Sequence, residues 1–268
     1  MTVRAGGRSG NGATDGGVRS VLTALRILEE VSRRQPIGVS QLARAIELPK
    51  TSVHRSLQTL HKAGWLRTVG AETTRWELTT KALTVGLASS RETSLRELAA
   101  VEMARIRDAS GETVHLAVPD EWELVIIARL DGTHSLRTFL PLGARAPLHA
   151  TASGRAMLAA MSDDRVDAVL DHGITRYTER TVTDRAGTWR EVRLARERGY
   201  ATNAAEWRDD IAAVSTAIVS ANGHPLAAIS ISMPYSRFQA MHLADITELA
   251  LAGARRVSDA IRYHDLAE

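Results

Sequence analysis

Apolar positions recur every three or four residues from Val18 to Gln35, with Val21, Leu25, Leu28 and Val31 on one stripe, and "QPIG" at 35–38 ends this first helix. Ser40 is placed as the N-cap of a short second helix, Gln41 to Ile46, with Leu42, Ala43 and Ile46 facing inward. A third helix within "LPKTSVHRSLQTLHKAGW" (48–65) buries Val53, Leu57 and Leu60, with Pro49 near its first turn and Gly64 at its end. Next, "WLRTVGAETTRWELTT" sets strand-forming residues on both sides of a polar, Gly-containing centre, which predicts a hairpin. Three helices followed by a hairpin is the order of a winged helix-turn-helix.

Residues 79–110 read as helical, with Leu83, Leu87, Leu95, Leu98, Val101 and Ile106 as apolar positions: a connecting helix, then the first helix of a second domain. "TVHLAVPDEWELVIIARLDG" predicts two strands with a turn around Pro119 and Asp120. "RTFLPLGARAPLHATASGRAMLAAM" runs from a strand through a Pro/Gly loop into a helix near Thr151, and another helix follows Ser162. A further helix is placed at Thr188, with Glu191 completing a capping box, and ends at Gly199. "DDIAAVSTAIVSANGHPLAAISISMP" holds two apolar strands around Asn222-Gly223, the strongest hairpin signal in the chain, and Ala240 to Tyr263 forms a long amphipathic helix. The second half is therefore an α+β domain, an antiparallel sheet with helices packed on it.

Charge sharpens this division. Residues 1–90 carry 13 Lys/Arg against 6 Asp/Glu, and the remainder 21 against 25, so a basic half of +7 precedes an acidic half of −4. Only the first half is suited to a polyanion. Residues 1–17 are glycine-rich with almost nothing to bury and are expected to be disordered, their two arginines still free to touch phosphate. The absence of cysteine excludes disulfides, thiolate metal sites and cysteine nucleophiles. No apolar run approaches the ~20 residues that a membrane span needs, and the N-terminus lacks an apolar signal core, so a soluble, cytoplasmic protein with no membrane partner is expected.

The third helix has the attributes of a recognition helix, which enters a major groove about 12 Å wide with its back on a core. Arg55 can read guanine through two hydrogen bonds, and Gln58 can pair similarly with adenine. Thr51, Ser52 and His54 suit phosphate, near a helix start where free N–H groups also point outward; Lys50 and Lys62 add charge. Ser40 and Arg75 complete the candidate DNA-contacting set, the hairpin tip from Gly70 to Arg75 lying along the backbone or minor groove. A solvated helix face that lacks acids would look similar, but the short helix before it and the wing after it favour DNA. No Phe/Tyr platform for stacking RNA bases is present.

Other chemistry is poorly supported. His149, Ser153, Asp163 and Asp164 suggest a nucleophile with a base, yet the Gly-x-Ser-x-Gly turn is absent and "TASGRAM" reads as a helix entry, so no catalytic residues are assigned. The nine histidines show no metal-site spacing, and neither a P-loop nor a dinucleotide fingerprint occurs, so no metal or cofactor is expected. Glu206, Arg208, Asp209 and Asp210 read as a pocket rim or solvated loop.

"ALRILEEVS", "VSQLARAIELPKTSVHRSLQTLHKAGWL" and "RWELT" resemble the winged-helix domain of the isocitrate-lyase-regulator (IclR) family of bacterial transcription factors. "GARAPLHATASGRAMLA", "ERGYATNAAEW" and "PLAAISISMPYSR" resemble that family's effector domain. The resemblance covers the chain from about Val18 to its end. It implies a winged helix-turn-helix over 18–79, a linker helix over 80–91 that couples the domains, and a GAF-like effector-binding and oligomerisation domain over 92–268. It further implies a homodimer or homotetramer on double-stranded, palindromic operator DNA, repressing or activating, and a small-molecule effector, an organic acid or related metabolite. Matched along the motifs, the effector pocket would comprise Ala152, Ser153, Asn203, Ala213, Ser230 and Ser232, with Ser135, Thr138 and Ala146 at its lip. Asn203 and Ala213 replace an aspartate and a cysteine of the relatives that take small carboxylates, which predicts a roomier, more polar pocket. The competing reading is a DNA-binding dimer whose second domain only oligomerises.

Overall fold

The computed structural model describes residues 18–70, 73–87, 90–240 and 242–265. The glycine-rich tail and the hairpin tip at Ala71 and Glu72 lie outside the described residues. The chain divides into two compact units, one up to Ser89 and one from Ser90.

In the first unit, α1 (Arg19–Arg34), α2 (Val39–Ala45) and α3 (Lys50–Lys62) pack with a three-stranded sheet of order β1-β3-β2, formed by β1 (Ile37–Gly38), β2 (Leu66–Val69) and β3 (Arg75–Leu78). Helix α4 (Thr80–Leu87) follows. The core joins Ile27, Val31, Leu42, Ile46, Val53, Leu57, Leu60, Leu66 and Trp76. Strand β1 is too short to show a period; Ile37 opposite Trp76 extends the predicted hairpin into a sheet.

Two expectations need correction here. Ser40 is not an N-cap: α2 begins one residue earlier, at Val39, and its cap is Gly38, whose N–H donates to Gln41 Oε1 at 3.3 Å. On α1, Val21 and Leu25 are about half exposed and form an outer stripe with Val18 and Leu22, while Ile27 and Val31 enter the core. The helix carries apolar residues on two sides, and spacing alone does not say which side a core will cover.

The second unit holds α5 (Ser90–Ser110), β4 (Thr113–Asp120), β5 (Glu123–Leu130), β6 (Arg145–Pro147), α6 (Ala152–Ala160), α7 (Asp163–His172), α8 (Arg185–Arg198), β7 (Ala201–Ala204), β8 (Ile211–Val219), β9 (Pro225–Pro234), α9 (Tyr235–Ala240) and α10 (Leu243–Asp265). Its six strands form one antiparallel sheet, order β6-β5-β4-β9-β8-β7. One face packs on α5 and α10 through Met103, Ile106, Val114, Leu116, Val214, Ile229, Ile231 and Val257. The other packs on α6 and its neighbours through Ala117, Leu124, Ile126, Met157, Leu158 and Val192.

Local chemistry moved several predicted boundaries. The β4–β5 turn falls at Glu121-Trp122, with Glu121 at φ +51°, and Pro119 and Asp120 pair with Leu124 and Glu123 within the ladder. Helix α8 starts at Arg185: Asp184 accepts from the Gly187 N–H at 2.7 Å, and Thr188, placed as the cap, is buried within the first turn. The C-terminal segment is two helices, α9 and α10, rather than one.

Candidate functional site

Helix α3 presents Lys50, Thr51, Ser52, His54, Arg55, Gln58 and Lys62, all exposed, on the side away from Val53, Leu57 and Leu60. It contains no acid. Pro49 precedes the first turn and supplies no side-chain acceptor, which leaves the N–H groups of that turn open to an anion. At the other end, Lys81 Nζ donates to the Ala63 carbonyl at 2.7 Å and lies over the Trp65 ring, fastening the start of α4 to the end of α3.

Ser40 and Arg75 stand apart from this face. Ser40 is half-buried, its carbonyl accepting from Arg44 Nε. Arg75 turns back to the Pro36 carbonyl at 3.4 Å and lines a cleft of about 520 Å³ with Arg34, Gln41 and Arg44. Arg34 and Arg44 escaped notice in the sequence because they lie on different helices, and only the corner at Pro36 brings them beside Arg75.

In the second unit, the loop before α6 is held tightly. Thr151 accepts from the Gly154 N–H at 3.0 Å and donates to the Pro147 carbonyl at 2.8 Å, so Ala152 and Ser153 open the helix as buried residues. A Cβ at Gly154 would stand 2.1 Å from the Leu148 carbonyl oxygen, so glycine is required by close approach. Arg155, almost fully buried, donates to the His149 and Thr202 carbonyls at 2.9 and 3.2 Å and pairs with Glu206. Glu206, grouped in the sequence with a solvated cluster, is thus a structural counter-ion.

The sheet face toward α6 carries two lateral rows of polar or small residues. One row runs Asn203, Ala213, Ser232, Thr113 across β7, β8, β9 and β4; the next runs Ser215, Ser230, His115, Arg129 across β8, β9, β4 and β5. Residues directly opposite share a face, and alternation sends Ile229 and Ile231 to the other core. Ser215 Oγ donates toward the Ile229 carbonyl at 2.8 Å and toward Ser153 Oγ at 3.3 Å, which ties the start of α6 to the sheet. Asn203 donates its amide to the Ala150 carbonyl and positions the loop. Thr138 Oγ1 donates to the Ser232 carbonyl at 3.1 Å.

Ala152, Ser153, Asn203, Ala213, Ser230 and Ser232 are therefore gathered around the start of α6 and the two rows, with Thr138 attached at the Ser232 end. Ser135 is exposed in the loop after β5, and Ala146 packs in the apolar core opposite Leu124 on the edge strand β6. At the outer end of β8 and β9 a cleft of about 560 Å³ is lined by Arg137, Thr138, Arg208, Ile211 and Tyr235, among others.

Sequence reasoning also missed His115. It is 1% exposed, and neither ring nitrogen has a hydrogen-bond partner. Burial, assisted by the Arg129 charge and opposed by Asp131, pushes its pKa down to about 4, so the ring is neutral at physiological pH. Its only sequence signal was its alternation with Thr113 and Ala117, blurred because "TVHLAV" is apolar on both faces. The suggested nucleophile arrangement does not form: His149 bonds the Thr175 carbonyl at 2.9 Å, and the exposed Asp163 pairs with Arg196.

Comparison with known proteins finds matches to both units of the chain. The family pattern "IclR helix-turn-helix domain" matches residues 20–70, and "Bacterial transcriptional regulator IclR C-terminal" matches residues 88–259. The chain is 30% identical over 250 residues to the HTH-type transcriptional regulator KdgR of Escherichia coli, covering 92% of this chain and 94% of that one. It is 29% identical to the transcriptional repressor IclR of the same organism, covering 91% and 90%. A crystal structure of an IclR homologue from Microbacterium hydrocarbonoxydans, complexed with 4-hydroxybenzoate, shares the fold at a TM-score of 0.79 and 23% identity, over 90% of this chain and 98% of that one. These relatives are regulators and not enzymes, and the protein, a DNA-binding transcriptional regulator, belongs to the IclR family.

Proposed function

We propose that this regulator is ligand-responsive: it binds a palindromic operator through α3 and senses a small organic acid, or a related metabolite, at the start of α6. One observation carries the reading. A helix N-terminus, whose N–H groups and positive dipole end favour a carboxylate, touches Ser215 through Ser153, on a sheet face where Ser230, Ser232 and His115 are buried in the adjoining positions. A domain that served only to oligomerise would gain more from filling that face with Val or Ile.

A homodimer presents two recognition helices, and a pair of dimers four, so half-sites spaced by about one helical turn or a multiple are expected. The exposed stripe of Val18, Val21, Leu22 and Leu25 on α1 supports self-association. Asn203 and Ala213, in place of the acid and thiol of relatives that take small carboxylates, support an effector larger and more hydroxylated than a two- or three-carbon keto acid. The effector shifts DNA affinity only by its differential affinity for two arrangements of the protein, typically by about 1–3 kcal/mol.

The test is a gel-shift titration of the purified protein on its own upstream intergenic DNA, with and without a panel of organic acids. Sequence-preferring binding altered by one acid, and lost response in Ser230→Phe and Ser232→Phe variants that keep their oligomeric state, support the sensor. Specific binding that no acid alters favours the oligomerising dimer, and a response to the smallest keto acids alone overturns the larger-effector reading.

A further inference from the structure

Among the described residues, His115 is the buried side chain whose polarity the fold leaves wholly unused. Among the described residues the only other buried side-chain atom without a hydrogen bond is Glu30 Oε1, and that oxygen lies 2.6 Å from Arg34 Nε. The imidazole has no such compensation. A ring with one N–H donor and one lone-pair acceptor, both hidden from solvent, is costly to keep unless something meets it. Valine at this strand position would remove that cost.

Its position says what could meet it. His115 lies opposite Ser230, Ser230 lies opposite Ser215, and Ser215 Oγ touches Ser153 Oγ at the start of α6. Strands are about 4.8 Å apart, so the His115 and Ser215 backbone positions are separated by roughly 10 Å across the sheet face. A molecule whose carboxylate rests at the start of α6 and whose body crosses Ser230 brings its far end to the imidazole. Two- and three-carbon acids are too short to touch both. Neutrality sets the chemistry of that far end: the ring offers no charge to a second carboxylate, and Arg129, the nearest cation in the row, already pairs with Asp131 at 2.7 Å and lies over Phe139. A hydroxyl, which both donates and accepts, matches an imidazole.

We propose that His115 is a specificity-determining residue of the effector site and binds a hydroxyl at the end of an organic acid opposite its carboxylate. This rests on the sensor reading above and narrows it to acids with a carboxylate and a distal hydroxyl. Aromatic hydroxy acids and open-chain sugar acids share that chemistry.

Matched pairs that differ in the distal hydroxyl alone test it and separate the two sources: 4-hydroxybenzoate against benzoate, and gluconate against 6-deoxygluconate, titrated calorimetrically into wild-type protein and into His115→Phe and His115→Gln. The expected result is that the member of one pair with the distal hydroxyl binds wild type about tenfold more tightly, the scale of one net hydrogen bond. That preference should fall to within about twofold in His115→Phe and be partly kept in His115→Gln, which retains a donor and an acceptor. Should the variants fold poorly, the wild-type ring reports directly: its NMR resonances should move with the acid that carries the distal hydroxyl and not with its partner. Acids that bind with no hydroxyl preference, or with one that His115→Phe preserves, overturn the role of His115 and leave the sensor standing. Absence of binding by all four acids to protein that still binds its operator overturns both.

Discussion

Arg155, at the first turns of α6, and Glu206, just beyond β7, form an ion pair whose arginine side chain is 1% exposed and whose glutamate is 16% exposed. The pair lies 51 residues apart in sequence and, with the Arg155 bonds to the His149 and Thr202 carbonyls, fixes the helix start against the strand that carries Asn203.

Glu206→Ala should therefore destabilise the second unit by about 3 kcal/mol, the low end for breaking a buried pair, because Glu191 remains 3.9 Å from Arg155. Urea denaturation followed by tryptophan fluorescence measures it. A change below about 1 kcal/mol would show that the guanidinium is satisfied by carbonyls alone.

Gly154→Ala sets two effects against each other. Alanine in a helix gains about 1 kcal/mol over glycine in propensity. Against this stands a Cβ at 2.1 Å from the Leu148 carbonyl oxygen, where backbone must move, and overpacking of this kind costs about 1–3 kcal/mol or more. The expected net result is a lower melting temperature together with a weaker effector response; unchanged melting would mean that the loop before α6 yields easily.

On α3, Arg55→Ala should weaken operator binding by about 1–3 kcal/mol and relax base preference at one position. Lys62→Ala should weaken all DNA alike and lower the salt slope by about one. Anisotropy titrations over a range of salt, on operator and on random DNA, separate the two. Equal losses for both variants on random DNA would remove Arg55 as a base reader.

The pH dependence of stability follows from His115. Its folded pKa, about 4, lies below the ordinary 6.5 of the unfolded chain, so between those values the unfolded state binds the extra proton. The contribution of the neutral ring is fully present above pH 6.5, declines as pH falls and is lost near pH 4. The difference corresponds to about 3 kcal/mol. Between pH 7.5 and 4.5 the wild type should thus lose about 2–3 kcal/mol more than His115→Phe in urea melts. Parallel losses would assign the acid sensitivity to other groups.

The exposed polar face of α3 was legible because every signal for it is local. Val53, Leu57 and Leu60 repeat at helical spacing, Pro49 and Gly64 punctuate the ends, and whatever does not face the core faces solvent. Ser230 and Ser232 were legible for a similar reason, since strand alternation puts both on one side. Where two residues compete for one local role, the same logic failed: Asp184 and Thr188 are both good caps, and Gly38 displaced Ser40 through the Gln41 side chain. On α1 two apolar stripes compete for one core, and Val21 lies on the outer one.

By itself the sequence determined the three helices and hairpin of the first unit, the basic character of that half, the outward face of α3 and the strand pair that carries the serines, because period, capping chemistry and turn residues act over a few positions. Only the tertiary structure decided that His115 lies beside Ser230, that Arg155 reaches Glu206, and that Ala146 packs with Leu124 instead of joining the serine rows. Those relations depend on strand order and register across gaps of tens to more than a hundred residues, where neighbours are chosen by how whole faces pack and no local pattern along the chain records the choice.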